Sequence, residues 1–233
     1  MSQQLLLDIL PASAPTLENF VVGSNGAVIQ SLQTLSAGRA IYLWGGTGSG
    51  RSHLLRACAQ GTGGVYFNAQ SSPADILALA TGTDSSLMRV AVDDVDQLSV
   101  HAQAALFALY NRWRERAATP QAFALLVSGG TAPRSMSLRE DLRSRLGWDL
   151  VYRLEQLSDA DRAAALRAQA QVRGLLLSED VLSWILTHYA RDMGRLTALI
   201  DALDRYSLAR HRSITLPLLR DLLAHPLHTM SSP

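Results

Sequence analysis

A glycine-rich stretch near residue 48 has the spacing of a phosphate-binding loop, or P-loop. The pattern G-x-x-x-x-G-K-S/T is met by Gly45, Gly50 and Ser52, with Arg51 in the position of the lysine. The glycines let backbone N–H groups turn toward a phosphate, and the helix that follows adds the positive end of its dipole. Ser52 is placed to ligate Mg²⁺. The loop predicts a nucleotide site formed by Gly45, Gly46, Thr47, Gly48, Ser49, Gly50, Arg51, Ser52 and His53.

Two carboxylates follow an apolar strand at residues 90–92, at the usual distance of a Walker B element from a P-loop. We expect Asp93 to hold the magnesium ion through water and Asp94 to orient the water that attacks the phosphate. The alternative is that both aspartates only begin a loop, which the P-loop at the proper distance disfavours. Ser128 ends a later apolar strand and is expected to reach the terminal phosphate from the opposite side, although serines at strand ends also initiate turns.

The arginine at position 51 has two explanations. All 21 basic residues of the chain are arginines, which indicates a general bias toward arginine. Selection for tight binding and slow hydrolysis explains Arg51 equally well, because both arginine and lysine side chains can reach a phosphate. The sequence leaves both explanations open.

Three arginines, Arg139, Arg143 and Arg145, fall in one helical stretch at residues 138–146. They could form a solvated charged face with pairs such as Asp141 and Arg145. Alternatively, one of them could project into the nucleotide site of a neighbouring protein and stabilise charge on the transferred phosphate, an effect worth ~10³–10⁵ in rate. The physical pattern alone does not choose between them.

The elements that must position these residues alternate between strands and helices. Apolar strands are predicted at residues 41–44, 64–68, 87–94 and 122–128, with helices after the P-loop and at 73–80 and 101–116. Strands that are apolar along their length indicate a parallel sheet covered on both faces, an α/β fold. Beyond residue 156 the pattern becomes helical, with helices predicted to about 173 and at 179–188, 193–210 and 216–224, and a short strand-like triplet at 213–215.

Composition narrows the class of protein. The formal net charge of +1 gives no electrostatic footprint for direct nucleic-acid binding. One cysteine, Cys58, excludes an internal disulfide and a cysteine-based metal cluster, and its apolar neighbours favour a buried position. The N-terminus has no basic signal region and no apolar run approaches a membrane span, so we expect a cytoplasmic protein with no membrane contact.

In this order the motifs resemble the AAA+ module of the bacterial replication initiator DnaA, over residues 16–224. The segment 16–25 is similar to the part of that family that covers the adenine, which implies contacts from Phe20 and Val21. Ser144-Arg145-Leu146 followed by a tryptophan looks like the motif of the arginine finger, which selects Arg145 among the three arginines. The resemblance implies an AAA+ core at residues 13–155 and a helical lid at 156–233.

Two positions depart from the family pattern. Gly129-Gly130 stands where the family has an aspartate or similar polar residue, which leaves Ser128 as the candidate for phosphate sensing. The lid arginine is displaced by one residue to Arg195, and a shift of one residue rotates a helical side chain by ~100°. The resemblance implies that Arg195 is the lid residue that senses the nucleotide, from this rotated position.

Residues 1–12 contain a short stretch that resembles an extended clamp-binding peptide, through Gln4, Leu5, Leu7 and Ile9. Such a peptide places alternating apolar side chains in a groove, and glutamine bonds at its rim. A frayed or docked N-terminal strand is the alternative. Nine residues follow Ala224, too few for the helix-turn-helix DNA reader that DnaA carries.

A DnaA-like module with a clamp peptide and no DNA reader resembles the Hda family of regulatory inactivators of DnaA. The resemblance implies ADP or ATP with Mg²⁺ as cofactors, and DnaA and the DNA polymerase III sliding clamp as partners, at the bacterial replisome. It also implies an activator of the DnaA ATPase with weak or no ATPase of its own. Two alternatives remain, an autonomous ATPase of the helicase-loader type and an ADP-stabilised interaction scaffold, and a homo-oligomer is left open.

Overall fold

The computed structural model describes residues 14–82, 86–189 and 192–224. The described chain divides into two compact units, one formed by Pro15–Gln156 and the other by the described residues from Leu157 onward. In the first unit the elements are, in order, α1 (Gly26–Gln33), β1 (Ala40–Trp44), α2 (Arg51–Cys58), β2 (Gly64–Phe67), α3 (Pro73–Thr81), β3 (Arg89–Val92), α4 (Val100–Arg116), β4 (Ala124–Gly129), α5 (Glu140–Leu146) and β5 (Leu150–Arg153).

Within the described residues the strands form one five-stranded sheet of order β2-β3-β4-β1-β5, with parallel pairings. Its side chains alternate between two faces. Tyr42, Val92 and Val127 pack in a core shared with α3 and α4, whereas Ile41 and Leu126 pack with α1 and α2. Burial on both faces explains why the strands read as nearly continuous apolar runs, and it confirms the predicted α/β fold with a covered parallel sheet.

The register of the three central strands brings their carboxyl ends to one edge. Val92 of β3 pairs with Val127 of β4, and Leu43 and Trp44 of β1 pair with Ser128 and Gly129 of β4. The loops that follow β1, β3 and β4 therefore begin at the same level. In open α/β sheets this edge is where ligands bind.

The second unit consists, in the described residues, of the helices α6 (Asp159–Val172), α7 (Glu179–His188), α8 (Met193–Arg210) and α9 (Leu216–Ala224). A capping box opens α6, since Ser158 Oγ accepts from Asp161 N at 3.0 Å and Asp161 Oδ2 accepts from Ser158 N at 3.1 Å. The helices pack around Leu166, Ile185 and Leu219, among other buried residues.

The helices of the second unit begin and end close to their predicted bounds. Residues 213–215 do not form a strand; they connect α8 to α9, and Ile214 is buried in the core of the second unit. Among the described residues, no helix has the length and apolar character needed to cross a membrane.

Candidate functional site

The P-loop connects β1 to α2 and leaves the amides of the first helical turn available. Gly48 and Gly50 have φ of +81° and +93°, in the left-handed region that favours glycine. The first α-helical bond joins Leu54 N to Gly50 O at 3.1 Å, so the N–H groups of residues 51–53 have no acceptor within the helix. Free amides at a helix N-terminus form an anion site, and the loop has the geometry for phosphate.

The segment ahead of the P-loop is fastened to α2 and closes one side of the loop. The His53 Nε2 atom lies 2.8 Å from Thr16 O, and the Phe20 ring packs against His53 with 5.5 Å between ring centroids. A Cβ atom on Gly50 would lie 2.5 Å from Phe20 Cε2, so Phe20 requires glycine there. Phe20 and the half-buried Val21 that follows it are thus next to the loop, where the resemblance put the adenine contacts.

The other side of the loop is bounded by a segment that the sequence did not single out. Gln156 Nε2 donates to Thr47 O at 2.7 Å. The buried Asn25 exchanges two hydrogen bonds with the backbone of Glu155, at 3.0 and 2.9 Å, and so fixes the chain that carries Gln156. A lone glutamine after a strand has no distinctive spacing, and pattern reading had no signal for it.

Asp93 is held at the carboxyl end of β3 by three hydrogen bonds. Its exposed fraction is 1%. Oδ2 accepts from the Tyr66 hydroxyl at 2.7 Å, and Oδ1 accepts from Asp94 N at 3.1 Å and from the Ser128 hydroxyl. Tyr66 was missed at the sequence level because its role depends on the pairing of β2 with β3. The contact of Ser128 with a phosphate stays a prediction, and in the structure its hydroxyl bonds to Asp93.

Asp94 is the residue that turns the chain after β3. Its φ and ψ of 49° and 51° are left-handed, which is uncommon outside glycine, and its N–H donates to Ser128 Oγ at 3.3 Å as well as to Asp93. Burial and the neighbouring Asp93 raise the pKa of the Asp94 carboxyl, and Arg51 opposes that rise. The side chain is therefore a carboxylate held between a negative and a positive neighbour.

Arg51 contacts Asp94 through one of its two amino groups. Its Nη2 is 3.1 Å from Asp94 Oδ1, and its Nη1 is buried with no hydrogen-bond partner among the described residues. Ser49 Oγ is also buried with no hydrogen-bond partner among the described residues. Two orphaned polar groups beside a loop of free amides fit a bound phosphate, because buried donors are rarely left unpaired.

The two glycines after β4 are explained by crowding. A Cβ on Gly129 would lie 2.4 Å from the Tyr42 hydroxyl and 2.1 Å from a methyl carbon of Met136. Asp96 Oδ1 accepts from Gly130 N at 3.1 Å, and its Oδ2 lies 3.2 Å from where a Cβ of Gly130 would be. The carboxylate of Asp96 thus lies against the backbone of Gly130, next to the position that a side chain there would take.

Arg145 lies on α5 and packs flat against aromatic rings. Its Cζ is 3.6 Å from the ring centroid of Phe107 on α4 and 5.1 Å from that of Trp148. Its Nε is buried without a hydrogen-bond partner among the described residues, and burial lowers the pKa of its guanidinium, which stays protonated at neutral pH. Arg139, in contrast, is paired with Asp141 at 2.7 Å. Phe107 had no sequence signal beyond its place on an apolar helix face.

The remaining predicted residues are the magnesium ligand Ser52, Arg195 and the four clamp-binding residues. Ser52 is half-buried in the first turn of α2, and no group of three or more His, Cys, Asp or Glu side chains in the described chain could hold a metal unaided. A magnesium ion would thus depend on Ser52, Asp93, water and phosphate oxygens. Arg195 is exposed in the lid, where its N–H donates to the cap Asp192 at 2.9 Å. Its sensing of nucleotide stays a prediction, and the clamp residues Gln4, Leu5, Leu7 and Ile9 lie outside the described residues.

Known proteins resemble both units. The family model described as Hda, lid domain, matches residues 159–223. Domain III of the DnaA replication initiation protein of Thermotoga maritima is similar with a TM-score of 0.68 and 21% identity, over 92% of this chain and 98% of that one. A replication initiator DnaA bound to AMPPCP and single-stranded DNA is similar with a TM-score of 0.62 and 23% identity, over 88% of this chain and 69% of that one. A RuvB mutant of Thermotoga maritima is similar with a TM-score of 0.64 and 15% identity, over 90% of this chain and 71% of that one. The shared architecture is the AAA+ fold.

Proposed function

We propose that this chain, an AAA+ protein of the Hda/DnaA-like kind, is a regulatory inactivator of the replication initiator DnaA. In this role it binds adenine nucleotide and the DNA sliding clamp, and it stimulates ATP hydrolysis by DnaA in trans. DnaA is left in its ADP form, and re-initiation of replication is prevented. The observation that carries the proposal is the Hda-type lid at residues 159–223 on a chain with the fold of DnaA domain III.

The proposed nucleotide is ADP or ATP, bound at the P-loop. The amides of residues 51–53 and the orphaned Nη1 of Arg51 are the groups for phosphate, and Phe20 and Val21 are the groups for the base. Ser52 and Asp93 hold Mg²⁺, which neutralises charge on the phosphate oxygens when bound. AMPPCP, an ATP analogue, occupies DnaA structures that share this fold, which supports the assignment.

Arg145 is the proposed arginine finger. Its guanidinium rests against the rings of Phe107 and Trp148, which orient the side chain through ring contacts. A cation delivered to the phosphates of a neighbouring DnaA would stabilise the charge that develops there during hydrolysis. The proposal thus places this chain's catalytic contribution in its partner's site.

The sliding clamp is the proposed second partner, through Gln4, Leu5, Leu7 and Ile9. The support is the alternation of apolar side chains behind a glutamine in the sequence, a pattern that fits extended binding in a groove. Tethering to a clamp on DNA would raise the local concentration of this protein near newly replicated DNA.

The experiment is release of phosphate from pre-formed DnaA-ATP after addition of this protein and DNA-loaded clamp. Acceleration that requires the clamp supports the full proposal. Acceleration without clamp dependence removes the clamp assignment and leaves the effect on DnaA. No acceleration in either condition contradicts the function.

A second candidate is an autonomous ATPase of the helicase-loader type. It is favoured by the presence of both Asp93 and Asp94 beside the P-loop. Its signature is sustained ATP turnover by this protein alone, with DnaA-ATP unaffected. If neither activity occurs although ADP binds, the chain is an ADP-stabilised scaffold.

A further inference from the structure

We infer that Arg51 lets this site bind nucleotide while slowing its hydrolysis. One amino group of Arg51 holds the Asp94 carboxylate away from the attacking water, and the other binds a phosphate. The inference rests on the proposed nucleotide site and adds the reason why that site binds without turning over. It concerns the protein by itself and not its effect on DnaA.

The ion pair joins two side chains that are both held in place. Arg51 is the first residue of α2, and its side chain is 12% exposed, while that of Asp94 is 27% exposed. The backbone of Asp94 is fixed in the left-handed region by the bonds from its N–H to Asp93 and Ser128. The 3.1 Å contact between Nη2 and Oδ1 is therefore formed between residues anchored on a helix and at a strand end.

Arginine is suited to this double contact and lysine is not. A guanidinium presents several donors in a planar fork, whereas an ammonium is a compact point charge. Arg51 uses Nη2 for Asp94 and leaves Nη1 buried and unpaired among the described residues. A Cβ on Gly130 would lie 3.7 Å from Nη1 and 3.2 Å from Asp96 Oδ2, so Gly130 and the Asp96 carboxylate border that side of the guanidinium. One arginine can thus bind a phosphate oxygen without releasing the carboxylate.

The consequence concerns the attacking water. In hydrolysis the water oxygen bonds to the γ-phosphorus, the bond from that phosphorus to ADP breaks, and the water protons end on the released phosphate and in solvent. A carboxylate that orients the water must accept its hydrogen bond. Asp94 instead accepts a hydrogen bond from Arg51 Nη2. Asp94, the carboxylate placed to orient the water, is therefore engaged by Arg51, the residue that binds the phosphate.

The test compares Arg51→Lys, Arg51→Lys with Asp94→Asn, and a control, Arg89→Lys, at the exposed opposite end of β3. Single-turnover ATP hydrolysis by the purified protein is measured together with MgADP affinity by calorimetry. We expect Arg51→Lys to hydrolyse ATP at least ~10-fold faster than the unmodified protein, a fraction of the ~10²–10⁴ available from a positioned base. The double variant should lose that gain, and Arg89→Lys should match the unmodified protein.

A readout without nucleotide tests the pair directly. In a double-mutant cycle of Arg51→Met and Asp94→Asn, urea unfolding should show that the two changes are not additive, because either one removes the 3.1 Å ion pair. Additive effects overturn the pairing. Retained MgADP binding by Arg51→Lys without faster hydrolysis overturns the inference and leaves the inactivator function intact. Absence of MgADP binding to the unmodified protein contradicts the proposed nucleotide site itself, and with it this inference.

Discussion

The guanidinium of Arg145 lies against the ring of Phe107, with 3.6 Å from Cζ to the ring centroid. The Cζ atom of Arg145 is also 5.1 Å from the ring centroid of Trp148. The Cζ atom of Arg114 lies 4.5 Å from the same centroid. Stacking on an aromatic face holds an arginine through its flat surface and leaves its N–H groups at the edge of the plane. An arginine held in this way is oriented and still able to bind an anion.

Replacing Arg145 with alanine should abolish stimulation of DnaA hydrolysis, with a loss of up to ~10³-fold, because the charge delivered in trans is gone. The fold and the affinity for ADP should be retained, since the residue is remote in sequence from the P-loop and only half-buried. Phosphate release from DnaA-ATP is the measurement. Arg143→Ala, on the same helix, is the matched control, and equal loss in both variants would refute the specific assignment.

Replacing Phe107 with alanine should lower the same stimulation by ~10-fold, because loss of a cation–π contact worth ~1–2 kcal/mol lets the Arg145 side chain adopt other rotamers. Phe107→Tyr keeps an aromatic face and should retain the activity. Circular dichroism and thermal unfolding verify that both variants are folded. A normal rate for the alanine variant would mean that Phe107 only packs α4 against α5.

Replacing Asp93 with alanine should weaken MgADP affinity and remove the increase in melting temperature that a bound ligand gives. Tyr66→Phe is the matched change, since it deletes only the hydroxyl that donates to Asp93 at 2.7 Å. We expect it to cost ~1–2 kcal/mol in free energy of unfolding and to leave MgADP binding measurable. Urea unfolding and calorimetry separate these effects, and an unchanged ligand-induced melting shift in the alanine variant would argue against a metal role for Asp93.

The ion pair of Arg39 with Asp149 should make stability depend on pH in the acid range. The two side chains meet at 2.6 Å just before β1 and β5, and Asp149 Oδ2 also accepts from Ala40 N. The hydrogen bond from Arg39 lowers the pKa of the Asp149 carboxyl. A carboxyl with a lowered pKa in the folded state contributes stability above its unfolded pKa of ~3.9, and the contribution is lost as the pH falls through the folded value.

A double-mutant cycle with Arg39→Ala and Asp149→Asn checks this prediction by urea unfolding at several pH values. The coupling free energy should be ~1 kcal/mol at neutral pH, because Arg39 is half exposed and solvent screens the pair. It should decrease below pH ~4 as Asp149 is protonated. A coupling that is the same at neutral and at acid pH would contradict the assignment.

Replacing Gln4 and Leu7 with alanine should abolish binding to the sliding clamp and leave the melting temperature unchanged, because each contributes a separate contact in an extended peptide. Surface plasmon resonance on immobilised clamp is the measurement. Leu6→Ala, at a position between Leu5 and Leu7 that the motif leaves open, is the control. Unaltered clamp affinity in the double variant would eliminate this motif.

The sequence by itself was sufficient for the fold class, the P-loop and the strand that precedes Asp93 and Asp94. These depend on local patterns, namely glycine spacing, apolar runs buried on both faces and helix caps such as Ser158. The lid helices were recognised for the same reason. The strand-like reading of residues 213–215 was wrong, because the β-branched Ile214 and Thr215 suit any short connection as well as a strand. Only packing against the helices of the second unit decides the position of Ile214.

Only the tertiary structure decided which side chains meet at the site. The pairing of β2 with β3 brings Tyr66 to Asp93, and the pairing of β3 with β4 brings Ser128 there. The contact of Arg51 with Asp94 joins residues 43 positions apart, and that of Gln156 with Thr47 joins residues 109 apart. Hydrogen bonds and ion pairs depend on distances of a few ångströms between elements, which residue types and spacing along the chain do not encode.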